Sequence, residues 1–194
     1  MGDQYELIPA TEQRTVAWSG GLTIELAVFP PGASYAGRDF QWRLSTAVVS
    51  APESAFTALP GFQRLLMVLS GQMQLTHIGH HQAFLQPFEQ DSFSGSWETL
   101  CRGTGRDFNL MLTAGWQGSL QARTLTSDVP FTIRSEHPNS VSAYYCLAGS
   151  AHLQLPGGTL LDLGPGDFLR VDAVNVRLHG PATVVCARIW PEST

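Results

Sequence analysis

With 194 residues, the chain suffices for one domain or two small fused ones. Charged residues make up 14% against 43% hydrophobic, which excludes a disordered or coiled-coil chain, and 19 Gly with 12 Pro point to a turn-rich β protein. The net charge is −5 and the 11 basic residues, all Arg, form no basic run; with no apolar run near the ~18 residues of a membrane helix, neither a nucleic-acid nor a membrane partner is expected.

In chain order, residues 1–6 lack a basic region followed by an apolar stretch, so no secretory signal is expected, and Glu6 breaks the myristoylation pattern. Residues 22–29 read as a strand. At 40–47, Phe40, Trp42, Leu44 and Thr46 fall on one face, while Gln41, Arg43, Ser45 and Ala47 fall on the other. This is the period-2 alternation of a half-buried strand. Residues 54–59 are expected to hold one short helical turn before Pro60-Gly61. Further strands are expected at 64–69, 72–77, 107–113, 120–125, 143–147, 151–155, 159–163, 168–171 and 183–189, with Gly, Pro, Asp or Asn between most of them. Cys101, Cys146 and Cys186 are odd in number and far apart. They read as buried reduced thiols, and the expected location is cytoplasmic.

The pattern repeats. Residues 65–75, with Leu69-Ser70-Gly71 at their centre, echo residues 144–155 with Leu147-Ala148-Gly149. Gly71 and Gly149 are 78 positions apart. Leu85-Gln86-Pro87 and Asp91 echo Leu163-Gly164-Pro165 and Asp167, with the aspartates 76 apart, which implies a short insertion or deletion between the two landmarks. The expected organisation is an N-terminal half over 1–115 and a C-terminal half over 116–194, fused into one compact unit. Gly71 and Gly149 would serve tight turns. A hydrophobic strand, an LSG or LAG turn, a second strand and Pro165-Gly166-Asp167 resemble the cupin superfamily. The resemblance implies an all-β bicupin: two tandem antiparallel jelly-roll barrels of the RmlC-like kind.

Cupin enzymes hold a metal on His-x-His-x(3–4)-Glu-x(6)-Gly plus a later His, because imidazoles and a carboxylate must converge inside the barrel. Counting back from Gly71 puts Arg64 at the Glu position and Leu, Pro and Gly around the two His positions at 58–61. A guanidinium there repels a cation. In the second half Ser142 takes the Glu position, His137 one ligand position and Ser135 the other, and the first His after Pro165-Gly166-Asp167, His179, lies too far along. No metal and no cofactor are expected. His77, His80 and His81 read either as a metal or proton-relay cluster or as a hairpin turn around Gly79. The turn is favoured, since ligands on a loop tip lack supporting contacts.

The same spacing points Arg64 into the first barrel, where a guanidinium is costly unless paired. Either Glu25 or Asp91 pairs with it, or it clamps an anionic ligand such as a carboxylate. Arg43, beside Ser45, is a second candidate for the same role. In this order, Trp18-Ser19-Gly20-Gly21-Leu22-Thr23, Trp42-Arg43-Leu44-Ser45, Pro60-Gly61-Phe62-Gln63-Arg64 and Asp107-Phe108-Asn109-Leu110-Met111 are similar to the HutD/Ves family. That resemblance implies a bicupin. Its HutD-type members are encoded with histidine-utilisation genes and are thought to tune that pathway by sensing an intermediate. The Ves-type branch is linked to cold response, and the sequence leaves the branch open.

The expected ligand is a small carboxylate such as urocanate or formylglutamate. The expected binding residues are Arg64, Arg43, Asn109, Ser45, Trp18, Trp42, Phe93 and Met111. Asn109 both donates and accepts, so it suits an amide, formyl or imidazole group or, alternatively, a backbone bond. Trp18 and Trp42 either wall the pocket or belong to the core, and Phe93 and Met111 are core or pocket lining. The favoured reading is a non-enzymatic sensor with no catalytic residue. The alternative is a cupin isomerase or hydrolase, metal-free or with unusual metal ligands, on the same carboxylate, for which Glu25 and Asp107 are the only acid–base candidates. Ser142 offers no clamp, so one working pocket, in the first half, is expected. A homodimer through an edge strand is left open.

Overall fold

A computed structural model describes residues 5–134, 137, 139–172 and 174–192. The chain separates into two units: residues 14–116, and residues 117–194 together with 1–13. Among the described residues there is no α-helix, only the 3-10 turns Ala10–Glu12 and Pro156–Gly158. The sequence reading places the whole N-terminus in the first half. The structure instead sends β1 (Tyr5–Ile8) to the second unit.

In the 14–116 unit the strands are β2 (Arg14–Trp18), β3 (Gly21–Phe29), β4 (Trp42–Val49), β5 (Glu53–Ala55), β6 (Phe62–Gly71), β7 (Met73–His77), β8 (Gln82–Leu85), β9 (Gln90–Ser94), β10 (Thr99–Arg102) and β11 (Gly105–Thr113). They form a six-stranded sheet, β2-β3-β4-β11-β6-β9, and a four-stranded sheet, β5-β10-β7-β8. Leu66 and Val68 of the first sheet meet Met73, Leu75, Leu85 and Cys101 of the second in a dry core. Phe40, Leu59, Phe62 and Met111 form another apolar cluster. The helical turn expected at 54–59 does not form. Glu53–Ala55 pairs with β10, and the following residues have no regular structure and bury Leu59. Pairing and burial outweigh the weak preference of so short a segment for helix.

The second unit comprises β1, β12 (Trp116–Leu125, its first residue belonging to the 14–116 unit), β13 (Phe131–Ile133), β14 (Val141–Gly149), β15 (Ala151–Gln154), β16 (Leu160–Leu163), β17 (Phe168–Asp172), β18 (Val176–His179) and β19 (Ala182–Pro191). Its sheets are β1-β17-β14-β19-β12 and β13-β18-β15-β16. Tyr144, Cys146, Leu169, Val171, Val184 and Cys186 of the first face Leu153, Leu163, Val176 and Leu178 of the second. Asp167 secures β1 by accepting from the Ala10 amide at 2.9 Å and the Gly164 amide at 2.8 Å.

Backbone hydrogen bonds align the two repeats more closely than the sequence does. Val68 N to Glu89 O is 3.0 Å, and Cys146 N to Asp167 O is 3.0 Å. Phe88 N to Val68 O is 2.7 Å, and Gly166 N to Cys146 O is 2.7 Å. The Glu89 carboxylate accepts from Gln86 N just as Asp167 accepts from Gly164 N. Glu89 and Asp167 are 78 apart, the same spacing as Gly71 and Gly149. The counterpart of Asp167 is therefore Glu89, not Asp91, and no insertion or deletion separates the landmarks. The aspartate match misled because the longer Glu89 side chain does the work of the Asp. Gly71 and Gly149 both sit at φ +77, and an added Cβ would strike the carbonyl of Thr104 or of Pro181. Only glycine fits either turn without strain.

Candidate functional site

The six-stranded sheet of the first unit carries a cavity of about 340 Å³. Register explains its lining. Asn109 on β11 pairs with Ser45 on β4, which pairs with Glu25 on β3. Met111 pairs with Arg43 on one side and Arg64 on the other, and Asp107 pairs with Ala47. Alternate residues of a strand share a face. Arg43, Ser45 and Ala47 therefore line the cavity together with Arg64, Asp107, Asn109, Met111 and Trp18. Arg43 and Arg64 share this one cavity.

The two arginines differ in chemistry. Arg43 is 5% exposed, and its Nε donates to Glu25 Oε2 at 2.7 Å while another guanidinium nitrogen donates to Ser45 Oγ at 3.0 Å. It also lies over the Tyr35 ring at 4.8 Å. Arg43 is thus a neutralised structural cation on the cavity wall. Arg64, 6% exposed, receives neither of the carboxylates expected for it: Glu25 goes to Arg43, and Asp91 goes to His77 and His81. Its Nε has no hydrogen-bond partner among the described residues. The guanidinium sits between the rings of Phe56, at 5.0 Å, and Phe93, at 5.2 Å, which hold it in place through their π faces. Burial lowers its pKa to about 10, with Asp107 opposing and Arg43 reinforcing that shift, so it stays charged at neutral pH.

Three other polar atoms of the cavity lining are buried without partners among the described residues: Asp107 Oδ1, Asn109 Oδ1 and Trp18 Nε1. Burial raises the Asp107 carboxyl to about 7 against the pull of Arg64 and Arg106. Unpartnered donors, Arg64 Nε and Trp18 Nε1, and unpartnered acceptors, Asp107 Oδ1 and Asn109 Oδ1, thus belong to residues that line one cavity. Orphaned buried polar atoms cost about 1–3 kcal/mol each. Four residues that line one cavity each carry such an atom.

Two expected site residues lie elsewhere. Trp42 is wholly buried, stacked on Phe29 at 5.5 Å, and belongs to the core alternative. Period 2 requires this, because Arg43 and Trp42 are neighbours and cannot share a face. Phe93 does not line the cavity; it backs Arg64 and packs on His77 at 4.4 Å. The sequence reading left Asp107 out of the binding set and missed Tyr35, Phe56 and Arg14, which also line the cavity. Alternation along Asp107, Asn109 and Met111 was the available signal for Asp107. Tyr35 and Phe56 arrive on irregular segments with no periodicity to read.

The second unit has its own cavity, of about 400 Å³, beside the first-half pocket expected to be the working one. Ser142 is buried and supplies no cation, as anticipated, but Arg123, Arg134 and Arg188 line the cavity from other positions. His137 stacks on Trp190 at 4.6 Å, and Ser135 lies outside the described residues. All three cysteines are free and buried, and burial pushes the Cys101 and Cys186 thiols up to about 11 and 12, which removes their nucleophilicity.

The loop-tip reading of the histidines fails at His77. Gly79 does carry the turn, at φ +78. His77, however, ends β7 at 2% exposure, with Nδ1 2.8 Å from Thr99 Oγ1 and Nε2 2.9 Å from Asp91 Oδ2. His81 Nε2 lies 3.0 Å from the same Asp91 oxygen, and His80 stacks on Trp97 at 3.8 Å.

Two repeats, each of a larger and a smaller antiparallel sheet, make this a bicupin, a protein of the cupin superfamily, here without the usual metal motif. The sequence matches the HutD family over residues 10–186, and the chain belongs to that family. An uncharacterized 21.2 kDa protein from the hutC 3′ region of Pseudomonas putida is 31% identical over 179 residues, covering 87% of each chain. A conserved protein of unknown function from Pseudomonas aeruginosa superposes with a TM-score of 0.82 at 26% identity, over 96% of this chain and 99% of that one. HutD from Pseudomonas fluorescens, solved in a formate condition, gives a TM-score of 0.73 at 24% identity, over 97% and 100%. The pirin YhhW of Escherichia coli, in complex with nickel(II), shares the fold at a TM-score of 0.67 and 10% identity, over 97% and 100%.

Proposed function

We propose that the first unit binds a small carboxylate carrying an N–H group, urocanate or formylglutamate, and that this binding tunes histidine utilisation without turnover and without a cofactor. The observation that carries the reading is that Arg64, whose Nε is buried without a hydrogen-bond partner among the described residues, lines the same cavity as Asp107 and Asn109, each of which has one oxygen in the same condition. A carboxylate takes a bidentate pair of bonds from an arginine fork. The N–H of an imidazole or amide then answers Asp107 or Asn109. Family membership and the hutC-region relative agree with a role beside histidine catabolism.

The test is a thermal-shift panel on metal-stripped protein with urocanate, formylglutamate, formiminoglutamate, glutamate, histidine and formate. A ligand at ~100 times its Kd adds about 2.7 kcal/mol, a shift of a few degrees in a chain of this size. One carboxylate should stabilise the wild type and leave Arg64→Ala unmoved. An Arg64→Ala protein that binds like the wild type overturns the clamp.

One observation favours a second reading, an acid–base enzyme on the same carboxylate. Asp107 is held at about 7 inside the cavity, where a general acid or base works best near neutral pH. Prolonged incubation with each ligand, followed by product analysis, separates the two. Ligand recovered unchanged supports the sensor, and consumption that Asp107→Asn abolishes supports the enzyme.

A further inference from the structure

We propose that His77, His81 and Asp91 form a divalent metal site of the zinc class, separate from the carboxylate cavity and from the motif position that Arg64 occupies. His77 Nε2, His81 Nε2 and an Asp91 oxygen all lie within 4.8 Å of one another. Each imidazole nitrogen is 2.9–3.0 Å from Asp91 Oδ2. Ligands bound to zinc at ~2.0–2.1 Å stand ~3–3.4 Å apart, so the carboxylate–imidazole distances already fit and only the imidazole pair, within 4.8 Å, has to close on one ion. Two imidazoles and one carboxylate suit zinc, nickel or cobalt better than calcium or magnesium. His81 and Asp91 remain 43% and 13% exposed, which leaves an approach and an open coordination position on the solvent side.

The second barrel supplies an internal control. The backbone of the two turns is the same: His77 N to His81 O and Leu155 N to Thr159 O are both 2.9 Å. At the constant spacing, Leu155, Thr159 and Leu169 stand where the first barrel has His77, His81 and Asp91. Leu155 and Leu169 are buried core. Strand pairing also puts Thr99 opposite His77, whereas the matching ladder of the second barrel ends at Gln154 opposite Arg177, one residue before Leu155 and the buried Val176. The fold therefore does not require polar residues at these positions. One barrel has replaced a dry corner with two imidazoles, a carboxylate and a hydroxyl.

The hydroxyl has a defined task. Thr99 Oγ1 is 2.8 Å from His77 Nδ1 and 3.4 Å from Trp97 O. With His77 Nε2–H facing Asp91, the hydroxyl donates to Nδ1. When a cation takes Nε2, the ring proton resides on Nδ1, donates to Thr99 Oγ1, and the hydroxyl turns to donate to Trp97 O. Such a partner on the far nitrogen fixes a metal-bound imidazole.

The experiment titrates untagged, metal-stripped full-length protein with Zn(II) by calorimetry, and with Co(II) by its visible spectrum and by quenching of Trp97, whose ring lies 5.8 Å from that of His81. One equivalent should bind. Asp91→Asn and His81→Gln should each weaken binding at least tenfold while circular dichroism stays unchanged, and His80→Ala and Arg64→Ala should bind as the wild type does. Absence of saturable binding, or equal binding by Asp91→Asn and His81→Gln, overturns the proposal. Because Arg64→Ala removes carboxylate binding but not metal binding, failure of either reading is seen independently of the other.

Discussion

At the scale of single residues, the cavity separates charges that the sequence presents as equivalents. Arg43 and Arg64 are both nearly buried, yet only Arg43 has a carboxylate partner. Glu25→Gln should therefore free Arg43 and strengthen binding of a small dianion, while Arg64→Lys should weaken carboxylate binding at least tenfold by losing the planar fork; calorimetry checks both. Asp107 makes the site pH-sensitive. Its carboxyl titrates at about 7 in the folded chain against an ordinary 3.8. Between those values the folded state keeps a proton that the unfolded state has lost. Stability then falls as pH rises from about 4 to about 7 and levels above, by on the order of a few kcal/mol. Asp107→Asn should flatten that slope in denaturant melts. The same ionisation adds negative charge beside Arg64, so formate, an anion with no N–H, should bind more weakly at pH 8 than at pH 6 in the wild type but not in Asp107→Asn.

At the scale of elements, one turn geometry is built twice from different residues. Phe88 adopts φ +72 where the other repeat has Gly166 at φ +89. Phe88→Gly should therefore keep the turn and relieve a left-handed non-glycine residue, at the cost of a looser unfolded chain. Gly71→Ala meets both a positive φ and the Thr104 carbonyl. It should destabilise by more than about 1 kcal/mol, read as a lowered melting temperature, whereas Gly79→Ala has open space around its Cβ and should cost only its backbone strain. Strands with clean alternation were legible in advance, as at β4 and β11. Short strands such as β5, β8, β10 and β13 were not. At three or four residues each, they are strands because a neighbour pairs with them, and such pairing leaves no periodic trace.

At the scale of the whole molecule, the N-terminal segment belongs to the unit furthest from it in sequence. β1 pairs with β17, the Ala10 amide reaches Asp167, and Gln13 Nε2 donates to Gly166 O at 2.6 Å. Removing residues 1–13 should lower the melting temperature of the full chain by exposing the β17 edge. It leaves every residue lining the 340 Å³ cavity in place, so the stabilisation by carboxylate should persist. Loss of that increment in the truncated protein would show that the two units are thermodynamically linked at the site.

The sequence by itself determined the all-β class, the duplication, the loss of the usual metal motif and the inward placement of Arg64. The first two are written in local alternation and recurrent spacing, and the last two in what the resemblance to the cupin motif implies once its spacing is counted back from Gly71. Only the tertiary structure decided which carboxylate goes to which cation. Glu25 and Asp91 were equal candidates for Arg64 in one dimension. The bulge between Glu25 and Ala27 and the pairing of β6 with β9 aim Glu25 at Arg43 and Asp91 at the histidines. Arg64 is left without either expected carboxylate because pairing of buried charges depends on distances of a few ångströms across strands far apart in sequence, which residue order does not encode.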